Sequence, residues 1–199
     1  MELIIGLTGG IASGKSTASQ YLINKGIPVV DADKIARLVV EKGMPAYESI
    51  VAAFGEEVLD RDLSLNRSRL GDIIFQDASK RELLNSIVHP AVRTEMKRQA
   101  EEHFLAGNMS VVMDIPLLFE SRLTHMVDRT ILIYVPQDIQ LQRLLARDSL
   151  KEEQAKARIS SQMPLEEKIN LSDAVVKNDG SKEDLYQQLD RVLTEWNIL

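Results

Sequence analysis

Near the start of the 199-residue chain, Gly9-Gly10-Ile11-Ala12-Ser13-Gly14-Lys15-Ser16 sets Gly9, Gly14, Lys15 and Ser16 at the spacing of a phosphate-binding loop. Glycines let the backbone turn its N–H groups onto an anion with no Cβ in the way. A helix opening behind the loop adds partial positive charge. Lys15 can then neutralise the β and γ phosphates of a nucleotide, and the Ser16 hydroxyl can ligate Mg2+. The triphosphate site is therefore expected over Gly10, Ile11, Ala12, Ser13, Gly14, Lys15, Ser16 and Thr17. A guanine-reading Asn-Lys-x-Asp segment is missing, since Asn24-Lys25 stands too early and lacks the aspartate. A kinase or an ATPase remains.

Three further sets of residues bear on that choice. Val29-Val30-Asp31-Ala32-Asp33 ends an apolar run in two carboxylates two apart, at the strand end where ligands of open α/β sheets bind. Asp33 can take a proton from an acceptor hydroxyl or cap a helix beginning at Lys34, and the residues alone leave both open. Val111-Val112-Met113-Asp114 has the form of a second metal-site strand. Asp114 can therefore meet Mg2+, directly or through water, or serve as turn chemistry. Arg143 and Arg147 lie four apart, with Arg158 beyond. They suit a lid closing over transferring phosphates, or a solvated face paired with Asp148, Glu152 or Glu153.

The elements that must position these groups are legible as short apolar runs. Leu3 to Leu7, Ile27 to Val30, Val111 to Ile115, Thr130 to Val135 and Ala174 to Val176 are continuous rather than alternating, as in a parallel sheet covered on both faces. Lys15 to Lys25 reads as a helix stopped by Gly26, giving a compact strand-helix-strand unit. The expected fold is an α/β phosphate-loop nucleoside-triphosphate hydrolase/kinase fold with a five-stranded parallel sheet. Some eighty residues of almost no strand character separate the second and third runs. Lys34–41, 46–54, 67–75, 80–87 and 91–105 each suit a helix, so an inserted helical lobe is expected. Gln137 to Asp148 reads as another helix, and Ser149-Leu150-Lys151-Glu152 has capping-box spacing for the next. The last helix starts after Ser181 and carries Leu185, Leu189, Val192, Leu193 and Trp196 on one face, a core stripe. This divides the single domain into a core (about 1–33, 108–136 and 163–199), a lobe (about 34–107) and a lid (about 137–162).

Composition narrows the classes further. With 24 basic against 30 acidic side chains and a net charge of −6, the chain lacks the cation excess of a general nucleic-acid binder. No cysteine means no thiol nucleophile, disulfide or cysteine-held zinc, and three scattered histidines add no metal signature. No apolar stretch approaches a membrane span, and the first residues do not read as a secretion signal; a cytoplasmic protein without membrane contact is expected.

Taken together, the motifs resemble the dephospho-CoA kinase family. The matching segments are Leu7 to Thr17, Asp31-Ala32-Asp33, Asn66-Arg67 through Phe75, His89-Pro90, Asp114 to Glu120, Gln142-Arg143-Leu144, and Arg158 through Lys168. The resemblance implies ATP-dependent phosphorylation of the ribose 3′-hydroxyl of dephospho-CoA. It implies that Asp33 is the base or orienting group, that Arg143 and Arg147 belong to a mobile lid, and that the inserted helices bind CoA through Arg67, His89 and Arg93. Ala12 departs from the family, which usually has Gly there, and Ser172 replaces a commoner Ala. The rivals are another small-molecule or nucleotide kinase on the same core, and a nucleotide-dependent switch.

Overall fold

The computed structural model describes residues 2–199. Five strands, β1 (Leu3–Gly9), β2 (Val29–Asp31), β3 (Ser110–Asp114), β4 (Arg129–Tyr134) and β5 (Ala174–Lys177), form one sheet in the order β2-β3-β1-β4-β5. All five expected runs are strands. The sheet order adds what they did not show: β2 is not beside β1, because β3 lies between them. The chain leaves β1 for one side of the sheet and later returns to the other, which makes the C-terminal end of β1 the switch point where such sheets bind ligands.

Two compact units divide the chain, residues 1–30 with 100–199 and residues 31–99. The first holds most of the sheet with α1 (Lys15–Asn24), α6 (Gln137–Asp148), α7 (Glu152–Ser160), α8 (Leu165–Ile169) and α9 (Lys182–Glu195). Parallel strands buried on both sides need apolar residues throughout, and β3 is buried at every position. Ile5, Leu7, Val112, Ile131, Ile133 and Val176 pack against Ala18 and Leu22 of α1 and against Leu185, Leu189 and Leu193 of α9. Leu132 and Val135 join Leu165 of α8 in a separate cluster. The α9 stripe is core, as its spacing predicts, and Trp196 packs at its margin. Ser181 caps this helix, accepting from Asp184 N–H at 3.1 Å.

The second unit contains α2 (Ala32–Leu38), α3 (Pro45–Phe54), α4 (Arg67–Gln76) and most of α5 (Ala78–Leu105). Its core gathers Ile50, Phe54, Val58 and Leu70, with Leu84, Ile87 and Val88 packed alongside.

Three local readings need correction. The helix expected from Lys34 begins at Ala32, because Asp31, not Asp33, is its cap: Asp31 Oδ1 accepts from the N–H groups of Asp33 and Lys34, both at 3.0 Å. The two helices expected on either side of His89-Pro90 are one 28-residue helix with Pro90 inside it. Proline removes one ladder bond, and the surrounding turns hold the helix through that loss. Ser149 opens no capping box; it ends α6 in the left-handed region at φ 50°, and Lys151 is the residue before α7.

Candidate active site

The phosphate loop leaves the switch-point end of β1 and enters α1 at Lys15. Two glycines are demanded by geometry. A Cβ on Gly9 would stand 2.5 Å from Ser13 Oγ. Gly14 has φ 86°, and a Cβ there would collide with the Asn178 side-chain amide. Ala12 adopts φ 58°, the conformation that its departure from the family's usual Gly puts in question. An L-residue there costs about 1 kcal/mol, which the surrounding contacts must offset.

Side chains distant in sequence brace the loop's carbonyls. Asn178 Nδ2 donates to Ser13 O at 2.8 Å, Gln140 Nε2 to Ile11 O at 2.8 Å, and Lys168 Nζ approaches Gly9 O at 3.4 Å. Gln162 Oε1 accepts from Ile11 N–H at 2.8 Å. Within the loop, Ser13 N–H donates to Gly10 O. Among the described residues, none accepts from the N–H groups of Ala12, Gly14, Lys15 or Ser16. The braces thus hold the loop's outer polar groups and leave a run of donors at a helix N-terminus, the arrangement that binds phosphate.

Charge is placed at the same spot. In the β1–β3 register Leu7 faces Asp114, and Lys15 Nζ forms an ion pair with Asp114 Oδ1. Asp114 is 5% exposed, so the carboxylate is held in a site with little competing water. The Ser16 hydroxyl is exposed and has no protein partner among the described residues. Hydroxyl and carboxylate oxygens are the donors Mg2+ takes, with phosphate oxygens and water completing its shell. Among the described residues no cluster of three His, Cys, Asp or Glu could hold a metal by itself.

The arginines separate. Arg143 is half-buried, and its Nη1 lies 4.0 Å from where a Gly14 Cβ would stand. Arg147 pairs with Asp148 at 2.7 Å, and Arg158 reaches the same carboxylate at 2.9 Å. The Arg147 guanidinium, with Arg158 behind it, holds Asp148 below the usual carboxylate range. The ion-paired alternative therefore describes Arg147 here, whereas Arg143 faces the loop.

The remaining candidates belong to the second unit. Asp33 is exposed in the first turn of α2, and its carboxylate is free of the capping duty that Asp31 performs. Arg67 is exposed at the start of α4, behind its cap Asn66. His89 is exposed on α5, neither packed nor in a turn, and Arg93 Nε donates to its carbonyl at 3.2 Å. His89 and Arg93 thus share one helical face.

Asn178 and Gln140 lie outside every family-matching segment that the sequence singled out, whereas Glu120, Gln162 and Lys168 fall within two of them with no role at the loop assigned. Lys168 is wholly buried, 2.8 Å from Glu120, whose Oε1 also accepts from Met163 N–H at 3.1 Å. Phe119, beside Glu120, is buried.

A braced glycine-rich loop at the switch point of a five-stranded parallel sheet, with a lysine and an aspartate at its mouth, defines a phosphate-loop kinase fold. The model of the dephospho-CoA kinase family matches residues 3–184. A dephospho-CoA kinase of Bacillus anthracis is 55% identical over 199 residues, covering all of both chains. Among solved structures, one from Thermus thermophilus has a TM-score of 0.82 at 36% identity, covering 98% of this chain and 97% of that one. The dephospho-CoA kinase of Campylobacter jejuni has a TM-score of 0.75 at 31% identity, covering 98% of each chain. The chain belongs to the dephospho-CoA kinase family and is a kinase. The resemblance of its motifs is borne out, and the switch-protein rival is not favoured. Among the described residues, no helix is long and apolar enough to cross a membrane.

Proposed function

We propose that this protein transfers the γ-phosphoryl group of ATP directly to the ribose 3′-hydroxyl of dephospho-CoA. The family supports both substrates. The observation that carries the donor side is the loop itself, with its outward polar groups braced and its N–H groups of Ala12, Gly14, Lys15 and Ser16 unshared beside Lys15.

In this reading the loop amides bind the β and γ phosphates, and Lys15 exchanges Asp114 for phosphate oxygens. Lys15 and Arg143 offset the charge spreading over the transferring group, with Arg147 contributing once its pairing with Asp148 is given up. Ser16 and Asp114 would hold Mg2+, directly or through water, and the ion would supply charge neutralisation at the phosphates. Asp33 orients the acceptor hydroxyl and takes its proton as the new P–O bond forms and the bond to the ADP oxygen breaks. No covalent phospho-enzyme is required. Arg67, His89 and Arg93 are positioned on the helical unit as cationic and hydrogen-bonding candidates for the anionic, adenine-bearing end of the acceptor.

The test is ADP release from ATP with and without dephospho-CoA, followed by the product's mass. This reading expects strong stimulation and a product one phosphoryl group heavier. Robust use of a nucleoside monophosphate with no response to dephospho-CoA would assign a different kinase.

A further inference from the structure

Ile11 is the one loop residue gripped at both of its backbone polar groups by side chains. Gln140 donates to its carbonyl and Gln162 accepts from its N–H, each at 2.8 Å. The two glutamines come from opposite ends of the segment expected to act as a lid. Gln140 closes the first turn of α6, and Gln162 follows α7. Gln140 is 4% exposed, so little bulk water reaches its side chain.

Three observations make this more than local tidiness. Gln140 and Arg143 are three apart on α6 and share a face, and Arg143 is the arginine that reaches the loop at Gly14. A cavity of about 200 Å3 lies beside the base of α6, lined by Gln137, Gln140, Ile159, Gln162, Met163 and Leu165, while Leu141 and Leu144 of α6 pack with Ile11 and Ala12 of the loop. Finally, the clamp engages Ile11 alone, and none of the described residues accepts from the N–H groups of Ala12, Gly14, Lys15 and Ser16. A side chain gripping Ile11 therefore leaves the phosphate donors untouched.

We propose that Gln140 and Gln162 are positioning residues: their clamp on Ile11 registers the base of the lid segment against the phosphate loop and thereby holds Arg143 over the transferring group. The proposal rests on the reading of Arg143 as a charge-neutralising residue. Loss of either glutamine lets α6 pivot at its base, and a displacement of about 1 Å at the guanidinium is enough to cost a large factor in turnover. Loop amides and Lys15 continue to bind ATP.

A double-mutant cycle on the full chain tests this, with kcat and KM for both substrates measured for Gln140→Met, Arg143→Ala and the pair. Arg143→Ala alone should lower kcat; if it does not, the reading of Arg143 fails and the clamp proposal with it. Given that loss, Gln140→Met should lower kcat about ten-fold in the wild-type background and less than about two-fold beside Arg143→Ala, with KM for dephospho-CoA nearly constant. Equal losses in both backgrounds, or no loss in kcat, would overturn the proposal while leaving Arg143 in place. A general structural defect predicts equal losses, so the non-additivity separates the two. If Gln140→Met does not fold, the same cycle with Gln162→Met, which removes the other half of the clamp, decides in the same way.

Discussion

Replacing Glu120 by methionine should destabilise the protein more than replacing its partner Lys168 by methionine, and the double replacement should recover most of the loss. Lys168 is wholly buried and Glu120 is one-fifth exposed, at 2.8 Å. Without Glu120, the ammonium keeps the Gly9 carbonyl at 3.4 Å, a long contact for a buried charge. Breaking a buried pair from one side costs about 3–5 kcal/mol. At this chain length about 2–4 °C of Tm follows each kcal/mol, so Glu120→Met should lower Tm by roughly 6–20 °C. Lys168→Met leaves a carboxylate whose Oε1 still accepts from Met163 N–H at 3.1 Å, although its Oε2 is buried without a partner, so its shift should be smaller. Removing both charges replaces the pair by apolar side chains of similar length, which is often near neutral. Thermal melts followed by circular dichroism at neutral pH read all three variants. A Glu120→Met shift below about 2 °C, or a double variant no better than Glu120→Met, would refute the view that this pair holds the loop's flank by compensating a buried charge.

Two other outcomes follow from the same geometry. Gly14→Ala combines a φ of 86° with a collision against the Asn178 amide; ATP affinity by calorimetry should fall about a hundred-fold or more while far-ultraviolet circular dichroism stays near wild type. On acidification, Asp148 is held low by Arg147 and then Arg158, Asp184 by the Ser181 hydroxyl, and Asp77 by the Ser79 hydroxyl. Their folded values lie below the unfolded ones, so each stabilises above the ordinary carboxylate value near 4 and ceases to as pH falls through the folded value. Tm should thus be nearly flat from neutrality to about pH 5 and drop below about pH 4; a Tm unchanged down to about pH 2 would contradict the assignment.

How much of this could be read from residues alone varies with the kind of signal. The loop was legible because glycine, lysine and serine at fixed spacing leave few structural alternatives, and the strands because both faces of the sheet are covered. Sheet order was not legible: nothing in β2 itself says that β3 will lie between it and β1. The helix through Pro90 was hidden because a proline marks a break in an isolated pattern, while packing on either side can carry the helix past one lost bond. Lys168 follows Glu166 and Glu167 in a charged run, and nothing in that run marks it as the largest wholly buried side chain. The amide braces escaped for a related reason. Gln140, Gln162 and Asn178 carry no charge and keep no period, so only the fold reveals that each meets a backbone group more than a hundred residues away. Asp33 shows the opposite case: its residue type leaves two roles level, and Asp31 holds the cap, which leaves the Asp33 carboxylate free of that duty.

The most direct test of the proposed mechanism is the steady-state and ATP-binding behaviour of Asp33→Asn. The amide keeps the shape of the side chain and removes its capacity to take the acceptor proton. The mechanism predicts unchanged ATP affinity with kcat lower by about 100-fold to 10,000-fold. Wild-type turnover by Asp33→Asn would contradict it.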